Sequence, residues 1–168
     1  MADCGVGNMT GRNLLVEFVE GCGDLDLDTA TFKVFGSINS KTLDFTAETA
    51  DNTSDLSGAV TSSLVTTLSS EINVSGWADK QDSALVSNQL EITKYFLDEV
   101  NAGRQPSGWL HAYADGYGLE YFIFVNITQG PGLGGSTNDV MTFSMTFSAT
   151  ATNVVGVNAI QVNTVAAA

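Results

Sequence analysis

Residues 41–80 read KTLDFTAETADNTSDLSGAVTSSLVTTLSSEINVSGWADK, two alternating runs around a hydroxyl-rich middle. In the first run Leu43, Phe45 and Ala47 alternate with Asp44, Thr46 and Glu48; in the second Ile72 and Val74 alternate with Glu71, Asn73 and Ser75. A period of two is the signature of a half-buried strand, so each run predicts one apolar and one wet face. Between them the chain is Ser, Thr, Asp, Asn and Gly, with Leu56, Val60, Leu64, Val65 and Leu68 as its apolar side chains. A connection of about twenty residues exceeds what compact domains usually hold without a functional reason. We therefore expect a long hairpin arm at about 49–68, ordered against something outside the fold.

The alternation recurs on either side. Arg12 to Glu20 reads as a strand with Leu14, Val16 and Phe18 inward. Ala30 to Ile38 reads as another, with Phe32, Val34 and Ile38 on one side, Lys33 and Ser37 on the other, and a bulge at Gly36. Asn88 and Glu91 have the spacing of a helix capping arrangement. Ile92, Phe96 and Val100, with Tyr95 and Leu97, form an apolar stripe over Glu91, Lys94, Asp98 and Glu99, and Gly103 supplies the stop, so one packed α-helix is expected over about 88–102. Trp109 to Tyr113 is a strand, and Leu119 to Gln129, apolar on both faces, is a central one. The run Gly130-Pro131-Gly132-Leu133-Gly134-Gly135 is expected to be a hairpin tip. In the strand after it Met141, Phe143, Met145 and Phe147 face one way, and Thr142, Ser144, Thr146 and Ser148 form a hydroxyl ladder on the other. Residues 153–168 read as a last strand or docking tail, and 1–10 as an N-terminal arm. The fold class expected is mainly β: one domain over 1–168, an antiparallel β-sandwich or partly closed barrel.

Composition agrees and excludes several functions. Charged residues are only 15% of the 168 and apolar ones 43%, with hydroxyls, amides and glycine making up the difference, which suits strands with hydroxylic outer faces. Nineteen carboxylates against six Lys and Arg leave a formal charge of -13, a field that repels phosphates and argues against sequence-specific nucleic-acid binding. For an isolated acidic domain the same charge serves solubility. No basic start leads into an apolar run, and no apolar stretch approaches the length of a membrane span, so neither export nor a membrane location is expected.

Catalytic and metal chemistry find little support. His111 is the single imidazole, set in the strand Trp109 to Tyr113 with no nucleophile elbow nearby, and reads as a sheet residue. The glycine run satisfies GxGxxG by letter but links strands instead of opening a helix. Asp24-Leu25-Asp26-Leu27-Asp28 resembles the start of a calcium loop, yet Thr29 and Phe35 occupy the positions that need Gly and Glu. No metal or cofactor site is expected, and the chain does not read as an enzyme. Cys4 and Cys22 lack metal-ligand spacing and leave open incidental thiols or an inter-subunit disulfide.

A polar strand ending in an acid and Asn-Thr-Ser, a polar arm, a strand closing on Ser75-Gly76-Trp77-Ala78-Asp79, then one helix and strands broken by a Gly-rich run resembles the pattern of phage major tail tube proteins over roughly Arg12 to Thr152. The resemblance implies a virion structural protein of the tail, made in the host cytoplasm, whose six-subunit rings stack head to tail into a tube. It implies partners that are other copies of itself and further tail proteins at the tube ends, with DNA passing through without specific binding. On this reading Asp44, Glu48, Glu71 and Asn73 face the lumen, and Asp51, Asn52, Thr53, Leu56, Val60, Leu64 and Leu68 form the inter-ring arm. Two alternatives stand beside it. One is a β-sandwich adhesin or carbohydrate-binding module using Trp77, Trp109, Tyr113 and Tyr117 as a stacking platform. The other is the inner tube of a contractile injection system.

Overall fold

The computed structural model describes residues 14–35, 38–51, 63–78, 86–87, 89–114, 118–136 and 139–164. Nine strands and one helix follow in the order β1 (Leu14–Glu20), β2 (Lys33–Phe35), β3 (Ile38–Asp51), β4 (Ser63–Trp77), β5 (Val86–Ser87), α1 (Gln89–Asn101), β6 (Ser107–Ala114), β7 (Leu119–Gly134), β8 (Thr142–Ala149) and β9 (Ile160–Thr164). They form one sheet with the order β3-β4-β8-β7-β6-β1-β2-β5, and β9 pairs with β7 off that path. Every pairing is antiparallel except the short β2–β5 contact.

The sheet curls over itself because one face of nearly every strand is apolar. Phe18 of β1 and Phe35 of β2 reach Phe147 of β8 at ring-centroid distances of 5.6 and 5.7 Å, and Phe45 of β3 reaches Tyr121 of β7 at 5.6 Å, contacts between strands far apart in the sheet order. The enclosed core joins Val16, Phe18, Phe35, Ile72, Val74, Ile92, Leu110, Ile123, Val125, Ile127, Phe143, Met145 and Phe147. Burying each large apolar side chain stabilises the fold by about 1.5–3 kcal/mol, and this layer is its main source of stability. The expected sandwich or partly closed barrel is the observed architecture, and the expected helix is α1.

β7 has a second apolar face. Trp109 is fully buried there against Phe124 at 5.3 Å and donates its indole N–H to the Cys22 carbonyl at 3.1 Å, so the loop after β1 covers this outer layer. His111 lies flat on Phe122 with centroids 4.4 Å apart, and its two ring nitrogens meet Glu17 at 2.9 Å and Glu120 at 2.7 Å. The imidazole thereby ties β1, β6 and β7 together on the side away from the core. The Asp-rich segment turns on Asp26, whose carboxylate accepts from the Asp28 N–H at 3.2 Å and the Thr29 hydroxyl at 3.0 Å, a local use of acid that needs no metal. No cluster of three metal-ligand side chains occurs among the described residues.

Three expectations need correction, and one left open is decided. The hairpin ladder continues to Asp51 opposite Ser63, so residues 49–51 and 63–68 are strand and the arm is shorter than 49–68. The glycine run is no hairpin tip: β7 extends through Gly130 to Gly134 along β8, with register shifts absorbing Pro131. Proline is tolerated there because that stretch is a sheet edge. Of the strand expected over Ala30 to Ile38, Lys33–Phe35 forms β2 and Ile38 already belongs to β3. Phe35 enters the core, while Phe32 packs outside on His111 and Phe122. Pairing of Lys33 with Phe18 sets this facing, which alternation alone left open. The tail reading of 153–168 resolves into a strand at Ile160–Thr164. Residues 1–10, Cys4, Gly36, Asn88 and Tyr117 lie outside the described residues.

Close backbone approach explains two glycines. A Cβ on Gly108 would sit 2.4 Å from the Val19 carbonyl oxygen and 2.6 Å from the Phe18 ring, whereas one on Gly132 meets nothing nearer than the Ser144 hydroxyl at 3.7 Å. Gly108→Ala is expected to cost about 3 kcal/mol through overpacking, and Gly132→Ala to stay within about 0.5 kcal/mol, as read by urea unfolding.

Tyr95 of α1 is partly buried and donates its hydroxyl to the Ser107 carbonyl at 2.6 Å. Burial, then the nearby Glu99 and Glu20 carboxylates, push its phenol up from 10.0 to about 12. A raised folded-state value means full stabilisation below the unfolded value and loss as pH climbs through the folded one. Between pH 10 and about 12 the native protein should lose stability with pH, and Tyr95→Phe should flatten that segment of the curve in chemical denaturation.

Candidate functional site

Strands β3, β4, β8 and the second half of β7 form a four-stranded sheet whose outward face is polar from edge to edge. Register puts Thr42, Asn73, Thr146 and Gln129 in one row and Asp44, Glu71, Ser148 and Asn126 in the next. Ser75 and Ser144 lie opposite each other in a further row, and Thr46–Ser69 and Glu48–Thr67 carry the face up the hairpin. Hydrogen bonds run across it: the Thr146 hydroxyl donates to Asn73 Oδ1 at 2.7 Å, Asn73 Nδ2 donates to Glu71 Oε1 at 2.8 Å, and Thr67 donates to Glu48 at 3.2 Å. The four residues expected to share a face, Asp44, Glu48, Glu71 and Asn73, are thus together. Thr146, Ser148 and Gln129 belong with them. The hydroxyl alternation of β8 was visible in sequence, but its pairing with β4 was not.

Electrostatically the face is one-sided. Asp44 and Glu71 stand directly opposite each other, a like-charge pairing that destabilises a sheet. The described cations lie elsewhere: Lys33 pairs with Glu91, Lys94 with Asp98, Arg104 with Glu99, and Lys41 sits on the opposite face of β3, across from Val74. The face is a wet, hydroxylated, anionic surface.

Both sides of this sheet are open. β3 is terminal in the sheet order, so among the described residues no strand lies on its other side. β7 pairs with β6 only as far as Asn126, and beyond the Ile127 N–H, which donates to the Pro106 carbonyl at 2.9 Å, its side away from β8 has no strand beside it. Toward the hairpin end cover on the core-side face thins, with Phe45 partly exposed beside Tyr121 and Leu68 more than half exposed. Of the expected arm residues, Asp51, Leu64 and Leu68 lie on strands, and Asn52, Thr53, Leu56 and Val60 fall outside the described residues. A register shift between Glu48 and Thr49 separates the two leucines. Leu68 faces Ala47 on the core side, while Leu64 faces Ala50, which shares the polar face of Glu48 and Asp44. One inserted residue reverses the facing of everything beyond it.

No protein-family model and no curated protein matches the chain. Solved structures do. A chain in the tail of an empty gene transfer agent particle, refined with C6 symmetry, superposes with a TM-score of 0.60 at 19% identity over 86% of this chain and 96% of that one. The SPP1 tail tube gives 0.58 at 11% identity over 94% and 80%. The fold is that of tail tube proteins. A chain in the sixfold-symmetrised baseplate of the anti-feeding prophage shares it, with a TM-score of 0.57 at 10% identity over 99% of each chain. Within the tail tube fold the aromatic platform of the carbohydrate-binding alternative does not form. Trp109 is buried, Tyr113 stacks on His111 at 4.7 Å, and Trp77 stands half exposed at the far end of β4.

Among the described residues no cation pairs with Asp44 to oppose its repulsion from Glu71. Asp44→Asn should stabilise the isolated subunit by about 0.2–1 kcal/mol in urea titration at low salt. The gain should shrink in molar salt, where the screening length falls to about 3 Å.

Proposed function

We propose that this chain is a tail tube subunit whose copies close into rings, stack head to tail, and present the Asp44–Glu48–Glu71–Asn73 face to a lumen for DNA. The observation that carries the reading is the four-stranded sheet with two open edges and a polar face. Because the number of strands is even and each neighbour is antiparallel, the edge of β7 in one copy meets β3 of the next in antiparallel sense by rotation alone. Rotation keeps every polar face on the same side, so the closed sheet has a hydroxylated anionic bore and its helices outside. Six copies, the symmetry of the gene transfer agent tail, would make a barrel about 45–50 Å across at the backbone, ample for a duplex. A wall whose described residues include no Lys or Arg offers DNA no counterion exchange, which lets the polymer slide.

The hairpin end of each copy, from Asp51 and Ser63 through residues 52–62 to the exposed Leu64 and Leu68, reaches the neighbouring ring. Head-to-tail contacts do not close on themselves, so tube length is set by other tail proteins at its ends. On this reading the protein is structural, not enzymatic, and resides in the virion tail after synthesis in the host cytoplasm. The anti-feeding prophage likeness extends the same role to the inner tube of a contractile injection system. Negative-stain microscopy of the concentrated protein should show hollow tubes, and a variant lacking residues 53–61 should keep its circular dichroism yet give no long tubes. A native chain that stays monomeric at millimolar concentration, or long tubes from the shortened variant, would overturn the respective part.

A further inference from the structure

Resting on the tube reading, we infer that the β3–β4 ribbon of one copy seats in an apolar groove at the opposite end of a second copy's sheet, with Val65 and Leu68 entering between Leu133 and Met141 and Leu64 meeting Trp77. β8 pairs with β4 only from Glu71 to Trp77, so Ser63 to Ser70 and their β3 partners stand beyond β8 as a two-stranded ribbon. Such a ribbon is marginal in water on its own. This one nevertheless carries Leu64, Val65 and Leu68, each more than half exposed. The register shift after Glu48 divides them between two sides: Val65, opposite Thr49, and Leu68, opposite Ala47, lie on the core side, and Leu64 on the polar one.

The other end of the same sheet repeats that division. There Trp77, which alternates with Gly76 and shares the side of Ser75 and Asn73, stands half exposed on the polar face. Leu133, opposite the core residue Phe143, is more than half exposed on the core side. Val140 and Met141 are exposed at this end too, and the Met141 carbonyl accepts the Ala78 N–H at 2.8 Å, which fixes the segment to the end of β4. Leu133 and Met141 line a groove of about 340 Å³ whose remaining walls are Gly134, Gly135, Ser136 and Asp139. The one carboxylate among these is engaged, since the Ser136 hydroxyl donates to Asp139 Oδ2 at 2.6 Å. A cavity of about 150 Å³ already takes benzene, so this volume admits two aliphatic side chains. A second hollow, of about 490 Å³, adjoins it at Leu133 and Gly134 and reaches Gly132, Ser75 and Ser144 on the polar face.

Both surfaces belong to one chain, at the two ends of β4, and each keeps its apolar groups on the same sides. A displacement along the strands therefore lays Val65 and Leu68 on the groove and Leu64 on Trp77 without turning the sheet over. The contact is heterologous and repeats in every copy, which makes a second copy of this chain its occupant instead of a different tail protein.

Trp77 reports the contact, because the other tryptophan, Trp109, is fully buried. On polymerisation, acrylamide quenching of the native chain should fall to the level of a Trp77→Phe variant. Leu133→Asp should raise the concentration needed for tubes at least about tenfold, leaving rings whose Trp77 stays open to quencher and a monomer whose melting curve is unchanged. The direct assay mixes a Val65→Cys chain with a Leu133→Cys chain, each also carrying Cys4→Ser and Cys22→Ser, and oxidises the assembled tubes. Mass spectrometry should find the peptides of positions 65 and 133 joined, a link that can form only between two copies. Links of 65 to 65 or 133 to 133 in its place, tubes without the 65–133 link, tubes whose Trp77 quenches as in the monomer, or long tubes from Leu133→Asp overturn the inference and leave the tube reading standing. If the native chain forms no tubes, both fall together.

Discussion

Backbone hydrogen bonding at the two open sides of one four-stranded sheet is the constraint on which this molecule turns. β3 presents a long unpaired edge, and the second half of β7 presents another at the opposite side of the same sheet. Such edges are ordinarily shortened, covered or charged to prevent association. Here they are long, and the sheet between them is polar on one face and apolar on the other. On the proposed tube reading, pairing between copies would satisfy both the backbone and the exposed apolar residues of the hairpin end.

The remainder of the fold serves to hold that sheet rigid. The curled β6-β1-β2 portion lays Phe18 and Phe35 onto Phe147 and fills the core behind the polar face. A second layer, Trp109 on Phe124 and His111 on Phe122, locks β7 from its far side. β7 can therefore serve two sheets, pairing with β6 and β9 in its first half and with β8 in its second. Glycines at Gly108 and Gly130 let backbone and helix approach more closely than any side chain would allow. On the proposed ring reading this rigidity would hold the two edges of each copy at a constant angle.

Charge follows the same division. The polar face carries Asp44, Glu48 and Glu71 with no neutralising cation among the described residues, a local cost to the fold. The cations are used where they hold elements together, Lys33 from β2 to α1 and Arg104 at the helix end, or are kept at an edge, as Lys41 is. A net charge of -13 is thus a distribution with one clear face as well as a total.

Local periodicity by itself determined that Leu43, Phe45, Ile72 and Val74 share an apolar side, that Asp44, Glu48, Glu71 and Asn73 share a polar one, that β8 carries a hydroxyl ladder, and that one amphipathic helix precedes three strands. Those properties are set by side-chain spacing along a few neighbouring residues, so they are readable without knowing any partner. Tertiary structure alone decided that β4 pairs with β8, that the glycine run continues β7, that Phe35 instead of Phe32 enters the core, and that a register shift turns Leu64 away from Leu68. The reason is that a strand's period of two is the same whichever strand lies beside it. Order, register and the position of an open edge depend on contacts tens of residues apart, which alternation does not encode.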